Sequence, residues 1–167
     1  MSNESFRTSQ IQLRATVYED AGIVFQWRND PFIVGLSSYQ KTVYWEEHLA
    51  WFEETISSDN QRMFIIEKET QPIGQVRFDR SGEYFCTISI YLLQKFTGNK
   101  YGIEAIRGGC QNIFNTWNVY EVISCVRLDN NNACSAFLKA GFEYKEQAGG
   151  LCPESHFTFS LCRTDFF

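Results

Sequence analysis

The sequence has few residues that could hold a metal ion. It contains only two histidines, His48 and His156, and none of its six cysteines is spaced as a Cys-x-x-Cys pair. Structural zinc sites use four such ligands at short spacing, so we expect no metal site. Cys86 and Cys125 fall in strand-like stretches, and Cys110 lies on an apolar helix stripe. Buried free thiols of this kind are typical of a reducing compartment.

Long apolar runs and excess positive charge are also absent. No window of the chain approaches the roughly 20 apolar residues that cross a bilayer. The first residues, MetSerAsnGluSerPheArg, lack the apolar core of a secretory signal. The net charge of -5 argues against non-specific binding to nucleic acid. We therefore expect a cytoplasmic protein that binds neither membrane nor nucleic acid.

The composition is that of one globular domain. Hydrophobic residues make up 44% and charged residues 21% of the 167 positions, which is ordinary for a folded chain of this length. The aromatic share of 16% suits a protein that forms a pocket. We expect a flexible tail over residues 1–10 and a single domain over residues 11–167.

Hydrophobic periodicity predicts an α/β chain built on one sheet. Alternating apolar residues begin a strand at Ile11, and three strands within 63–92 follow one another through tight turns, which indicates an antiparallel meander. Two helical patterns lie between the first strand and this meander. The first of them ends before Pro31, because the residue preceding proline avoids the helical region. A helix between the strands at 84–92 and 119–127 predicts one parallel crossover.

The stretch Thr87–Gly102 is typical of an anion site. An alternating apolar run is followed by a polar turn that holds Gly98, and a helical pattern begins near Lys100. The first N–H groups of a helix have no internal partner, and the helix dipole attracts negative charge to them. We interpret this stretch as the cradle of a pyrophosphate-bearing cofactor. In the same helix, Gly108 and Gly109 predict close packing of helix on sheet.

Two motifs make the chain resemble the GNAT superfamily of N-acetyltransferases. The first is the cofactor signature Gln/Arg-x-x-Gly-x-Gly/Ala, which falls on residues 97–102. Gly102 matches its last position, and Gly98 matches a glycine of a common variant. Thr97 replaces the Gln/Arg of the signature, and Lys100 replaces its middle glycine.

The second motif places an asparagine, a tyrosine and a Lys-x-Gly-Phe block at fixed spacing. Asn130, Lys139, Gly141 and Phe142 match this motif. Ala133 stands where the family has a serine, and Phe137 stands where it has a tyrosine whose hydroxyl can protonate the departing thiolate.

Three further blocks resemble one branch of the superfamily. They are TrpArgAsnAspPro at 27–31, TrpGluGluHisLeuAlaTrpPhe at 45–52 and GlyGlnValArgPheAsp at 74–79. That branch acetylates the 4-amino group of nucleotide-linked 4-amino-4,6-dideoxy sugars, as in pseudaminic acid biosynthesis. Branches that acetylate protein N-termini share a block similar to the one at 27–31. The resemblance covers residues 11–148. It implies a GNAT fold with a single mixed, mostly antiparallel sheet of six to seven strands and about four helices.

The resemblance implies acetyl-CoA as the cofactor. A bulge in the strand at 84–92 would leave backbone groups free for the pantetheine arm and the thioester carbonyl. The cofactor contacts expected on this basis are Ile90, Tyr91, Leu92, Thr97, Gly98, Asn99, Lys100, Tyr101, Gly102, Asn130, Phe137 and Lys139. Lys100 could add its charge to the phosphate site or crowd the loop. Asn130 could hold the pantetheine arm or cap a helix.

The acceptor amine must lose a proton before it attacks a thioester. The second predicted helix offers three bases: His48, Glu46 and Glu47. A neutral imidazole is the best acceptor near pH 7, although His48 could instead contact a sugar or pack beside Trp51. Many superfamily members remove the proton through ordered water. Phe137 has no hydroxyl and cannot protonate the departing thiolate. Water, or the hydroxyl of Tyr91, Tyr101 or Tyr144, could do so instead.

Arg28 is the expected contact for the diphosphate of the acceptor, because a guanidinium fork matches phosphate oxygens. Its alternative is an ion pair with Asp30 or another carboxylate. Further pocket residues are expected at Tyr39, His48, Trp51 and Arg77.

Three functions fit this sequence. The first is an acetyl-CoA-dependent N-acetyltransferase for a nucleotide-linked aminosugar, which an aromatic-lined cavity under residues 39–52 favours. The second is the same reaction on a protein N-terminus or a polyamine. The third is a divergent module that binds coenzyme A or nothing and has no catalysis, which the altered residues Thr97, Lys100, Ala133 and Phe137 suggest. The protein would act as a monomer or a homodimer.

Overall fold

A single eight-stranded sheet runs through the computed structural model, which describes residues 5–8, 10–146 and 150–167. The strands are β1 Ser5–Arg7, β2 Gln12–Ala15, β3 Gln61–Lys68, β4 Gln71–Arg80, β5 Phe85–Leu92, β6 Glu121–Arg127, β7 Glu143–Lys145 and β8 His156–Cys162. Their order across the sheet is β1-β2-β3-β4-β5-β6-β8-β7. Every neighbouring pair is antiparallel except β5 and β6, which are parallel. The predicted meander and the single parallel pair are confirmed.

Six helices flank the sheet in the described residues, against the four or so expected. They are α1 Ala21–Arg28, α2 Pro31–Leu36, α3 Trp45–Ser57, α4 Tyr101–Thr116, α5 Asn131–Lys139 and α6 Arg163–Phe166. α1 ends at Arg28, and Pro31 opens α2 at the first helical position, where its missing N–H costs nothing. Over the ranges that the structure describes, no helix is both long and apolar enough to cross a bilayer.

The sheet separates two apolar cores. The larger core joins the sheet to α4 and α5, and Phe64, Ile66, Phe78 and Ile113 belong to it. The smaller core joins the opposite face to α1, α2 and α3. Its buried residues are Ala21, Val24, Trp27, Ile33, Phe52, Met63 and Ile65. Alternate residues of β3 therefore point into different cores, as the pleat of a strand requires.

α4 lies very close to the sheet. A Cβ atom added at Gly109 would come within 2.8 Å of the Phe78 ring, and one at Gly108 within 3.2 Å of Phe6. Larger residues at either position would push the helix off the sheet. The predicted close packing at these two glycines is confirmed.

The N-terminal stretch is more ordered than the sequence predicted. Ser5–Arg7 forms β1 and pairs with β2, although it falls within the tail expected at residues 1–10. The Phe6 ring packs edge-on against Phe64 with the ring centres 5.5 Å apart. Burial of this ring and pairing of the backbone outweigh the polar composition of the stretch. Residues 1–4 and 9 lie outside the described residues.

Two of the six cysteines form a disulfide, which corrects the expectation of free thiols. Cys125 on β6 is bonded to Cys152, which lies 27 residues further along the chain, and their Cα atoms are 5.4 Å apart. The free thiols are Cys86, Cys110, Cys134 and Cys162. Burial raises the pKa of the Cys86 thiol to about 12. Disulfides persist mainly in oxidising compartments, so this pair does not support the reducing compartment inferred from the cysteines.

Reduction of the Cys125–Cys152 bond should destabilise the protein. The bond joins residues 27 positions apart, and the entropy of closing such a loop predicts a loss of about 3.5 kcal/mol in the free energy of unfolding. Urea denaturation with and without a reducing agent measures this loss. The double variant Cys125→Ser/Cys152→Ser should show no response to the reducing agent. Titration of the denatured, unreduced chain should detect the four free thiols, and detection of all six would contradict the bond.

Candidate active site

The parallel pair β5–β6 opens along its length. Pairing joins Phe85–Thr87 to Glu121–Ile123 and then stops, although β5 continues to Leu92 and β6 to Arg127. The two strands therefore diverge toward their carboxyl ends and leave a wedge-shaped opening in the sheet. Ligands bind at this end of parallel strands in open sheets.

Backbone groups of β5 line the opening. The Leu93 N–H donates to a carbonyl of β4, and the direction of backbone groups alternates along an antiparallel strand. The groups of Ile90 and Leu92 therefore point into the opening, whereas those of Tyr91 point toward β4. The register between β4 and β5 runs without a shift. The expected bulge in this strand is thus wrong, because divergence of β6 exposes the edge instead.

The N-terminus of α4, which follows β5, presents a row of backbone N–H groups. Within the part of the chain that the structure describes, no acceptor is found for the N–H of any residue from 98 to 103. On either side of this row the N–H groups are paired, since Thr97 donates to Gln94 and Glu104 to Lys100. Consecutive N–H groups at a helix N-terminus are a ready-made phosphate site. The residues predicted for the cradle meet here.

Lys100 occupies the N-cap position of α4 in the left-handed region, with φ of 66°. Gly98 is also left-handed, with φ of 78°. A non-glycine residue in this region costs roughly 1 kcal/mol. The Lys100 side chain is exposed, so its charge is available to an anion that the N–H row holds.

α5, which follows β6, carries the residues of the second sequence motif. Asn130 caps this helix, because its Oδ1 accepts a hydrogen bond from the Ala133 N–H at 3.2 Å. Phe137 is only 3% exposed and packs edge-on against Phe142 with the ring centres 5.0 Å apart. Lys139 is exposed in the last turn. For Asn130, the capping role anticipated as an alternative is the one that the structure shows.

On the opposite face of the sheet, side chains from three separate sequence blocks meet. The Arg28 guanidinium lies 4.0 Å from the centre of the Trp51 ring, and the Arg77 guanidinium lies 5.4 Å from it. Nδ1 of His48 is 3.3 Å from Nη1 of Arg28. We call Arg28, His48, Trp51 and Arg77 the arginine cluster. The fifth predicted pocket residue, Tyr39, is 86% exposed in the connection between α2 and α3.

His48 has no nitrogen available to accept a proton from an amine. It is fully buried, and its Nε2 lies 2.8 Å from the carbonyl oxygen of Ala21. Because a guanidinium only donates, Nδ1 accepts from Arg28 and Nε2 donates to Ala21. Burial lowers the pKa of His48, the Ala21 bond raises it, and the charge of Arg28 lowers it. The base role expected for His48 therefore does not fit the structure, because its helix face packs inward.

The other proton-transfer candidates are spread over the molecule. The Tyr91 hydroxyl donates to Oε1 of Gln75 at 2.6 Å, and burial raises the pKa of Tyr91. Tyr101 is buried in the larger core, and Tyr144 is 58% exposed on the edge strand β7. Glu46 is exposed in the first turn of α3. Among these candidates Tyr91 alone adjoins the arginine cluster, and the charge of Arg28 acts on its pKa.

Several further residues shape this site. Gln75 holds the Tyr91 hydroxyl and lies in the block at 74–79, where a buried amide among strand residues could have drawn attention to it. Arg127 on β6 donates to the Gly35 carbonyl at 2.7 Å, and Ser38 Oγ lies 2.8 Å from Nε2 of His156 on β8. These contacts tie the end of α2 and the α2–α3 connection to β6 and β8, on the far side of the opening. No local sequence pattern points to Arg127 or His156.

Comparison with known proteins identifies the family. A family model described as an acetyltransferase (GNAT) domain matches residues 10–143. The chain belongs to the GNAT acetyltransferase family. The superfamily that the motifs indicated is therefore confirmed. No curated protein matches the chain.

Solved acetyltransferase structures share the fold at low sequence identity. An aminoglycoside acetyltransferase, AAC(6')-Ib, in complex with ribostamycin and coenzyme A has a TM-score of 0.83 and 18% identity, over 95% of this chain and 96% of its own. The spermidine N-acetyltransferase from Vibrio cholerae with CoA and spermine has a TM-score of 0.81 and 15% identity, over 95% and 99%. The Microcin C7 self immunity acetyltransferase MccE with acetyl-CoA and AMP has a TM-score of 0.75 and 15% identity, over 93% of each chain. These likenesses show the fold, and they do not confirm the sugar-nucleotide branch.

Substitution of Lys100 should separate backbone strain from charge. We expect Lys100→Gly to raise the free energy of unfolding by up to about 1 kcal/mol, because glycine accepts a positive φ. Both Lys100→Gly and Lys100→Gln should weaken binding of coenzyme A by about fivefold, which corresponds to about 1 kcal/mol for one partly screened charge. Calorimetric titration at two salt concentrations measures this. Tighter binding by Lys100→Gly than by the unaltered protein would show that the lysine crowds the loop.

The ring of His48 should be neutral at pH 7. Nitrogen NMR of the imidazole should show the Nε2–H tautomer, and the ring should gain a proton only at a lower pH than an ordinary histidine does. Because the pKa of His48 is lowered on folding, its stabilising effect is present above about pH 6.5 and is lost as the pH falls. The variant His156→Gln identifies the signals, since the chain has only two histidines. A ring protonated on Nδ1 at pH 7 would contradict the bond from Arg28.

Proposed function

We propose that this protein transfers an acetyl group from acetyl-CoA to a primary amine of a small molecule. One observation carries the proposal: the N–H row of residues 98–103 directly follows the strand whose open edge holds Ile90 and Leu92. The N–H row alone, or the open strand edge alone, could bind many kinds of ligand. Together they fit a ligand with a diphosphate at one end and an amide-containing arm at the other.

The residues at the opening fit acetyl-CoA. When bound, this cofactor supplies an activated thioester. The N–H groups of residues 98–102 would hold its diphosphate, and the Lys100 ammonium would add a positive charge. The backbone edge at Ile90 and Leu92 would hydrogen-bond the pantetheine amides. An N–H group on that edge would also donate to the thioester carbonyl, which stabilises the negative charge that develops there during attack.

The remaining cofactor contacts stay predictions. Phe137 would pack near the arm, and Asn130 would reach it through Nδ2, because Oδ1 caps α5. The other expected contacts are Thr97, Asn99, Tyr101, Gly102 and Lys139. A monomeric or dimeric state and a cytoplasmic location also stay predictions.

Proton transfer in this proposal does not use His48, whose nitrogens both have partners. We expect the acceptor amine to lose its proton to solvent water, as Glu46 is exposed and outside the arginine cluster. The raised pKa of Tyr91 makes its hydroxyl a weak acid. Its proton is donated to Gln75, so this hydroxyl would hold the acceptor amine by accepting a hydrogen bond, and the departing thiolate would take its proton from solvent water.

For the acceptor we propose the 4-amino group of a nucleotide-linked amino-deoxy sugar. The support is that the three blocks at 27–31, 45–52 and 74–79 supply the arginine cluster, so they form one surface. An indole face suits a planar base or a sugar ring, and a guanidinium suits a diphosphate. The alternatives that remain are a protein N-terminus, a polyamine and a module without catalysis.

Two measurements test this function. Calorimetric titration should show binding of acetyl-CoA, and its absence at millimolar concentration would leave only the module without catalysis. A thiol-release assay should then show turnover with nucleotide-linked 4-amino sugars. Peptides with free N-termini, polyamines and aminoglycosides complete the panel, and a preference for any of these would overturn the proposed acceptor.

A matched pair of glycine variants locates the cofactor site. Gly98 and Gly150 have similar left-handed φ angles, 78° and 72°, and an added Cβ would meet nothing within 4 Å at either. Alanine at each should therefore cost roughly 1 kcal/mol of stability. Only Gly98→Ala should distort the N–H row and raise the KM for acetyl-CoA, by about fivefold or more. Equal KM values for the two variants would contradict the assignment of the cradle.

A further inference from the structure

Arg28 carries a half-buried positive charge that no carboxylate of the described chain offsets. Its guanidinium lies over the Trp51 ring at 4.0 Å, and within the described ranges no carboxylate oxygen lies within 4.0 Å of it. Asp30, its nearest carboxylate in the sequence, instead accepts from the N–H groups of Phe32 and Ile33. The ion pair anticipated as an alternative for Arg28 is therefore wrong, since Asp30 is used as a helix cap.

A second guanidinium lies close by. Arg77 is 5.4 Å from the same indole ring. Burial lowers the pKa of Arg28, Tyr91 raises it, and the charge of Arg77 lowers it. Like charges placed together in a partly buried site disfavour the folded state unless an anion joins them. Arg77 has its own partner, Asp79, at 2.9 Å.

His48 fixes the direction of the Arg28 guanidinium. Its Nδ1 accepts from Nη1 of Arg28, and its Nε2 is held by the Ala21 carbonyl. A fully buried, neutral imidazole is thus used to orient an arginine without neutralising it. Such an arrangement keeps the remaining guanidinium N–H groups available in a fixed fork.

This cluster lies beside the opening in the sheet. Tyr91, on the diverging part of β5, is 6.2 Å from Trp27 between ring centres, and its pKa responds to Arg28 and Arg77. An acceptor whose amine reaches the opening from this face would therefore place other groups against Arg28. Asp79, the ion-pair partner of Arg77, also accepts a hydrogen bond from Gln61. A polycationic amine would meet the two guanidinium groups of Arg28 and Arg77 here.

We propose that Arg28, oriented by His48 and flanked by Arg77, binds a phosphate or carboxylate group of the acceptor. The enzyme then selects amines that carry negative charge and rejects polycationic amines. This inference rests on the acetyl transfer proposed above, and it extends to any acidic acceptor. A nucleotide-linked sugar is one member of that class. The aminoglycosides and spermine of the structural neighbours are not.

Four amines that differ only at one end test the inference: 4-aminobutyl phosphate, 4-aminobutanoate, butylamine and 1,4-diaminobutane. We expect kcat/KM to fall in that order or with the first two exchanged, by at least tenfold from the best acid to the diamine. The first two amines distinguish phosphate from carboxylate as the preferred group. Arg28→Gln should reduce the preference for the acids at least tenfold, through the KM of the acceptor, with the KM for acetyl-CoA unchanged.

Arg62→Gln is the matched control. Arg62 also lies over a tryptophan, with its guanidinium 5.6 Å from the Trp117 ring, and it is outside the arginine cluster. This variant should keep the preference of the unaltered enzyme. Arg28→Lys should restore only part of the preference, because an ammonium lacks the planar fork. If Arg28→Gln keeps the original ratio between acidic and cationic amines, the inference is overturned.

A binding measurement separates this inference from the proposed function. UDP titrated into protein saturated with coenzyme A should bind the unaltered chain and Arg62→Gln alike, and Arg28→Gln at least tenfold more weakly. Saturation with coenzyme A keeps UDP from the N–H row. If neither these amines nor the panel of the preceding section is acetylated, the proposed function fails, and the UDP titration still tests the anion site. UDP affinity that does not depend on Arg28 would overturn the anion site even in an active acetyltransferase.

Discussion

The short parallel pairing of β5 with β6 is the constraint on which the rest of the structure depends. Only Phe85–Thr87 and Glu121–Ile123 pair, whereas β4 holds β5, and β8 holds β6, along nearly their whole lengths. Each diverging strand is thus rigid, while the space between them stays open. An unpaired strand edge on the outside of a sheet invites aggregation. Here the edge lies inside the sheet, where a ligand can use its backbone groups.

The same pairing places both helix starts at one end of the sheet. Parallel strands need a crossover, and α4 supplies it, so its N-terminus follows the carboxyl end of β5. α5 likewise begins after β6, which puts the Asn130 cap at that end. The N–H row and the open edge are therefore consequences of one topological choice. Loss of the parallel pair would separate the N–H row from the open edge of β5.

Local signals in the sequence predicted much of the fold. Pro31 ends α1, and the 3–4 spacing of Ile106, Cys110 and Ile113 places one face of α4 in the larger core. Gly98 marks the turn in which the N–H row begins. Each of these signals depends on a few neighbouring residues, so periodicity and backbone preference are enough to read them.

Features that depend on distant residues were not predictable. β1 forms because the Phe6 ring packs against Phe64, and Cys125 meets Cys152 because the chain before β8 passes beside β6. A bulge was expected in β5, yet the edge opens because β6 turns away from it. Strand register is set by pairing across the whole sheet, which no local pattern records.

His48 shows the same limit at the site. Its sequence position on an aromatic helix indicated a residue near the acceptor, and the structure does place it in the arginine cluster. Its chemical role depends on the Ala21 carbonyl and on Arg28, both more than a dozen residues away. A histidine with two bound nitrogens orients its neighbour, whereas a histidine with one free nitrogen can act as a base. The residue type could be predicted, but its tautomer could not.

The net charge of the chain makes the two proposed anion sites depend on short-range donors. A protein of net charge -5 repels a diphosphate at long range, but salt screens that field beyond roughly 8 Å. Inside this distance the N–H row of α4 and the guanidinium of Arg28 act at hydrogen-bond range. Both are fixed before a ligand arrives, the first by the helix and the second by His48 and Trp51. The proposed affinity for anions would therefore come from donors that are already oriented, and a neutral histidine beside an arginine supplies this orientation at the second site.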